Sequence, residues 1–157
     1  MGISAVYKRI ILTFLWVILS LPAAAAPRCM TSSEIQAEAL LRLHSELMVI
    51  AVTCQQGSAG EDLASAYATF TRDNIAALHD AEKVMIARYK KTGGVARLDT
   101  LRTQLANEAG LQAAKQSAPV FCAAQRDKVV ALAAMPPEQV RQEAGKMMAA
   151  SKGKRCR

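Results

Sequence analysis

Two histidines and a methionine are the residues with the clearest capacity for chemistry. His44 and Met48 are four positions apart and share a face if they lie on one helix, and His79 follows further along the chain. Both residue types bind copper, and helical bundles can hold haem or a metal between such side chains. These three residues are therefore the candidate ligands of a copper or haem site. Because methionine also commonly fills irregular cores, we predict core packing and no cofactor.

Catalytic candidates are few, and none belongs to a recognisable motif. They are Ser45, Glu46 and His79 with Asp80. The chain contains no G-x-S-x-G, no H-E-x-x-H, no P-loop and no glycine-rich dinucleotide fingerprint. We therefore predict a non-catalytic protein, with a small secreted hydrolase that lacks a known motif as one alternative.

Four cysteines give the strongest covalent signal: Cys29, Cys54, Cys122 and Cys156. An even number of cysteines in an exported chain predicts disulfide bonds. The chain has no C-x-x-C, which removes the thioredoxin-like redox motif, c-type haem attachment and the usual zinc-finger spacings.

The elements that position these residues are predicted to be helices. The hydrophobic share is 52% and the aromatic share only 4%, a balance carried by helix-forming residues. The stretch Ser33–Cys54 has the best helical stripe, and its apolar residues recur at three- and four-residue spacing. Further helices are predicted from near Gly60 to about Lys91, over Val95–Gln116, over Ala118–Met135 and from Pro137 to near Ser151.

Helix length restricts the cysteine pairing. An unbroken first helix would separate Cys29 from Cys54 by well over 30 Å, at about 1.5 Å per residue. A disulfide needs Cα atoms within about 7 Å, so these two cysteines are excluded as a pair. If the first three helices run up, down and up, Cys122 returns to the end that carries Cys54. We therefore predict Cys54–Cys122 and Cys29–Cys156.

The N-terminal 25 residues have the pattern of a cleaved signal peptide. Lys8 and Arg9 precede an apolar run, Ile10–Leu21, and the small residues Ala23-Ala24-Ala25 follow. We predict cleavage after Ala25 and a single mature domain over residues 26–157. The alternative is an uncleaved anchor, but the apolar run is shorter than the roughly 20 residues that span a bilayer, and we predict no stable membrane span.

Positive charge is concentrated at the C-terminus. The formal net charge is +7, and the tail 151–157 contains Lys152, Lys154, Arg155 and Arg157. Such a tail could meet an acidic partner or an anionic lipid, but a solvated terminus is the simpler interpretation. The tail has no aromatic residue for base stacking, and we expect no nucleic-acid partner.

Together these patterns predict an all-α protein. The expected architecture is an irregular antiparallel bundle of four to five helices stapled by two disulfides, in a periplasmic or secreted bacterial protein. We expect it to bind another protein or an envelope component. Tyr67, Phe70 and Tyr89 are candidates for an exposed anchor, although core packing is favoured for at least Phe70. Self-association also fits this pattern.

Overall fold

The computed structural model describes residues 29–55 and 60–150. These residues form six helices and no strand, so the predicted all-α class is confirmed for this part of the chain. The helices are α1 Ser32–Thr53, α2 Gly60–Asp73, α3 Ile75–Tyr89, α4 Val95–Ala113, α5 Ala118–Ala133 and α6 Pro137–Ala150.

Helix α1 is the centre of the bundle, and each of the other five helices contacts it. Its predicted apolar stripe is buried, with Leu40, Leu43, Leu47 and Ile50 no more than 3% exposed. The helix begins with a capping box in which the Thr31 N–H donates to Glu34 Oε2 at 2.8 Å and the Glu34 N–H donates to Thr31 Oγ1 at 3.3 Å.

An ion pair joins the start of α1 to the end of α3. Arg88, in the last turn of α3, donates to Glu34, in the first turn of α1, at 2.8 Å. The start of α1 therefore lies beside the end of α3, and the two helices run antiparallel. Sequence reasoning did not single out Glu34, although Thr-x-x-Glu is a capping-box signal.

The single long helix predicted from Gly60 to Lys91 is wrong, because the structure breaks it at Asn74 into α2 and α3. Asn74 has φ −106° and ψ 8°, away from helical values. Its Nδ2 donates to the Phe70 carbonyl at 2.9 Å, and its backbone N–H donates to the same oxygen at 3.1 Å. Asparagine forms such local bonds readily, and the break raises the predicted four or five helices to six.

The C-terminal helices follow the predicted faces. Their buried side chains include Leu98, Leu101 and Leu105 of α4; Phe121, Cys122, Val129 and Leu132 of α5; and Val140, Ala144 and Met148 of α6. Helix α4 ends at Ala113, three residues before the predicted end.

A disulfide joins Cys54, the residue after α1, to Cys122 in α5, with Cα atoms 5.7 Å apart. This is the predicted pair: the length of α1 excluded Cys29 as the partner of Cys54, and the up, down and up course of the helices selected Cys122. The described part of the chain contains no free cysteine. The other predicted pair, Cys29–Cys156, includes a residue outside the described part. The predicted signal peptide 1–25, its cleavage after Ala25 and the tail 151–157 also lie outside it.

None of the helices in the two described segments is long and apolar enough to cross a bilayer.

Candidate functional site

His44 lies on α1 and faces α2. Its Nε2 is 3.2 Å from the Tyr67 hydroxyl and 3.4 Å from Thr71 Oγ1, and its ring centroid is 5.5 Å from that of Tyr67. Both distances permit hydrogen bonds. In a neutral imidazole this nitrogen can accept a hydrogen bond from a hydroxyl group of α2. His44 therefore links the central helix to α2.

The surroundings of His44 favour that neutral form. Burial lowers the pKa of His44, and the positive charge of Arg102 lowers it further, while the negative charge of Glu82 partly opposes the shift. Glu82 of α3 and Arg102 of α4 form an ion pair with each other. His44 is thus a half-buried, neutral hydrogen-bonding group beside a charged pair from two further helices.

The other two candidate metal ligands, Met48 and His79, differ from His44 in their surroundings. Met48 is half-buried one turn after His44, whereas His79 is exposed on α3. Among residues 29–55 and 60–150, no three His, Cys, Asp or Glu side chains are arranged to hold a metal ion. The polar groups that the fold brings to His44 are hydroxyls, which sequence spacing does not reveal.

The catalytic candidates take part in structural contacts. Ser45 is buried, and its Oγ donates to the backbone carbonyl four residues earlier at 2.9 Å. Glu46 accepts from Lys128 Nζ at 2.6 Å, across the contact between α1 and α5. Asp80 pairs with Lys83 at 3.0 Å on the surface of α3, beside the exposed His79.

Among the three candidate aromatic anchors, the core role favoured for Phe70 is confirmed, and neither tyrosine is fully exposed. Phe70 is fully buried, and Tyr67 and Tyr89 are partly buried against the core. Tyr67 faces His44, while the Arg97 guanidinium lies 5.8 Å from the centre of the Tyr89 ring. Phe70 is therefore a core residue, and Tyr67 and Tyr89 keep only part of their surface exposed.

The structure instead shows a cavity of about 240 Å³ between α1, α4 and α5, which we name the α4–α5 cleft. Its apolar lining is Val49, Ile50, Leu105, Ala109 and Phe121, and its polar lining is Arg42, Glu46, Glu108, Gln112 and Gln125. The site therefore combines an apolar surface with charged and amide groups, as binding pockets commonly do.

Ion pairs border the α4–α5 cleft. Arg42 of α1 pairs with Glu108 of α4 and, at 3.5 Å, with Glu38, while Glu46 pairs with Lys128. The Nε of Arg42 is buried and has no hydrogen-bond partner within the described part of the chain. The other two nitrogens of the same guanidinium form the ion pairs, so this wall keeps one donor without a partner in the described residues.

Three exposed aliphatic side chains lie at the same end of the bundle, and we name them the apolar end. They are Val52, Leu111 and Val120, which are 61%, 68% and 57% exposed. Val52 and Val120 each precede a cysteine of the Cys54–Cys122 bond by two residues, and Leu111 precedes Gln112 of the cleft.

Comparison of the chain with protein-family models, curated proteins and solved structures finds no match.

The residues of the cleft and of the apolar end were not singled out from the sequence. One signal was present, because Leu111 falls outside the spacing of Leu98, Leu101 and Leu105 on the same helix. A single aliphatic residue off the buried stripe is common on protein surfaces, so this signal alone does not indicate a site.

Proposed function

We propose that this chain is an exported, non-catalytic helical protein of the bacterial envelope that binds another protein or an envelope component through the α4–α5 cleft. The cleft beside the apolar end is the observation that carries the proposal. Export is supported by the pattern of residues 1–25 and by the Cys54–Cys122 bond, since disulfides persist mainly in oxidising compartments.

The architecture around the cleft favours a protein partner. Helices α4 and α5 follow one another in the chain but make little contact, so part of α1 lies between them. The cavity of about 240 Å³ is smaller than the roughly 300–1,000 Å³ of most small-molecule sites. It suits an apolar side chain of a partner, which would then meet the aliphatic groups of the apolar end.

The binding proposal can be tested in cells by site-specific photo-crosslinking. A photoreactive residue at Gln125, in the lining of the cleft, should form a defined adduct, whereas the same residue at Gln142, exposed on α6, should not. Ala109→Trp fills the cleft and Leu111→Asp makes the apolar end polar, and each should remove the adduct while far-UV circular dichroism stays unchanged.

Equal adducts at both positions, or adducts that survive both substitutions, would contradict binding at the cleft. The mass of the adduct also identifies the kind of partner. A mass of twice the chain would assign the site to a second copy, and light scattering of the purified protein should then show a dimer.

Export and the second disulfide have direct tests. Sequencing of the exported protein should begin at Ala26, and a start at Met1 or Gly2 would contradict a cleaved signal peptide. Non-reducing peptide mapping should show Cys29 joined to Cys156. A peptide that joins Cys29 to Cys122 would overturn the pairing argument.

A further inference from the structure

One end of the bundle consists of the hydrogen-bonded turn between α3 and α4, residues 90–94, and the first turn of α4. The N–H groups of Thr92 and Gly94 both donate to the Tyr89 carbonyl, at 2.8 and 2.9 Å. Gly93 and Gly94 have φ values of +125° and +53°, a region that side-chain-bearing residues rarely adopt. The backbone of this turn is therefore held in one shape by its own hydrogen bonds.

Three cations of this segment have no acidic partner. Lys90, Lys91 and Arg97 are exposed, and none of them forms an ion pair with any residue in the described ranges. Many other cations of the helices do have one; examples are Arg72, Lys83, Arg88, Arg102, Arg126, Lys128, Arg141 and Lys146. Positive charge is thus left uncompensated at this end.

The arrangement of the cations is partly fixed. The Arg97 guanidinium lies over the Tyr89 ring at 5.8 Å, a cation–π contact that directs it toward the turn. We name Lys90, Lys91, Val95 and Arg97 the basic tip.

Val95 gives the basic tip an apolar component. It is the first residue of α4, it is 59% exposed, and it lies in the sequence between Lys91 and Arg97. An exposed aliphatic group flanked by Lys and Arg is the composition with which peripheral proteins contact membranes, because the cations meet lipid phosphates while the apolar group enters the interface. We propose that the basic tip docks on a bilayer surface that carries anionic phospholipids.

A lipid surface explains these residues better than other polyanions do. Free phosphate would need the cations but would gain nothing from Val95. A nucleic acid would favour exposed aromatic rings for stacking, whereas Tyr89 is covered by Arg97 and packs partly against the core. The proposal does not depend on the α4–α5 cleft, so either can fail without the other.

The test is vesicle co-sedimentation of the full mature chain. Each cation near an anionic surface is expected to strengthen partitioning about fivefold at low salt. Binding to vesicles of 30% phosphatidylglycerol in phosphatidylcholine should therefore exceed binding to pure phosphatidylcholine. Lys90→Gln with Lys91→Gln should weaken binding to the anionic vesicles about 25-fold. Val95→Ser should weaken it severalfold without changing the charge.

The matched control removes the same charge elsewhere. Lys115 follows α4 at its other end and Arg126 lies on α5, so Lys115→Gln with Arg126→Gln should change binding far less. Circular dichroism should show the same helix content in every variant. Equal losses of vesicle binding in both double variants would show that only net charge matters and would overturn the proposal. Unchanged binding by the Lys90/Lys91 variant would overturn it as well. Binding of inorganic phosphate without binding of vesicles would reassign the basic tip to a free anion.

Discussion

Replacement of both Cys54 and Cys122 by alanine should strongly destabilise the bundle. The bond closes a loop with a sequence separation of 68 residues. In the chain-entropy model a loop of that length restricts the unfolded chain by about 4.4 kcal/mol at 25 °C. Domains have a free energy of unfolding of about 5–15 kcal/mol, so this loss is a large fraction of the total. Because both cysteines are also buried, their lost packing adds to the effect.

The measurement is urea unfolding followed by far-UV circular dichroism in buffer without reductant. We expect a much lower midpoint, a larger m-value because the unfolded chain becomes more extended, and a melting temperature lower by roughly 15 °C for a domain of this size. Repeating the unfolding of the double variant with reductant separates any contribution of the remaining cysteines. A decrease in the free energy of unfolding below about 1 kcal/mol, with an unchanged m-value, would contradict this prediction. The chain-entropy model requires a larger loss for a loop of 68 residues.

Three further predictions test the fold around α1. Since the folded pKa of His44 lies below its ordinary value of 6.5, the unfolded state binds more protons, and the free energy of unfolding should fall as the pH drops through 6.5 toward the folded pKa. His44→Gln should flatten that part of the profile measured by urea unfolding. Arg88→Met leaves the buried Glu34 carboxylate without this ion pair and should cost about 3 kcal/mol, with part of the loss restored by adding Glu34→Gln in a double-mutant cycle. Leu47→Ala should cost about 2–5 kcal/mol because the side chain is fully buried, whereas Val52→Ala, at 61% exposure, should change the unfolding midpoint little.

The periodicity of the sequence was sufficient to predict most helices and their buried faces. Apolar residues three and four positions apart must share a helical face, so the stripes of α1 and α5 could be read without coordinates. The prediction was wrong at Asn74, where the side chain bonds to the Phe70 carbonyl and the helix breaks, and periodicity does not show whether such a bond forms. That choice depends on the packing of the two flanking segments.

The candidate site lay beyond sequence reasoning for a different reason. The α4–α5 cleft exists because two consecutive helices diverge over α1, and the residues that meet there come from three separate parts of the chain. The neighbours of His44 show the same limit, since Tyr67 and Thr71 reach it only through the packing of α2. Residue type made His44 a candidate ligand, but its position made it a hydrogen-bonding link.

By itself, therefore, the sequence determined the helical class, the faces that are buried and, through the length of α1, that Cys29 could not pair with Cys54. These properties follow from local geometry, in which rise per residue and side-chain direction are set along one helix. Tertiary structure alone decided the break at Asn74, the partial burial of Tyr67 and Tyr89, the cleft and the uncompensated charge of the basic tip. Each of these depends on which surfaces meet, and residues far apart in the chain determine that together.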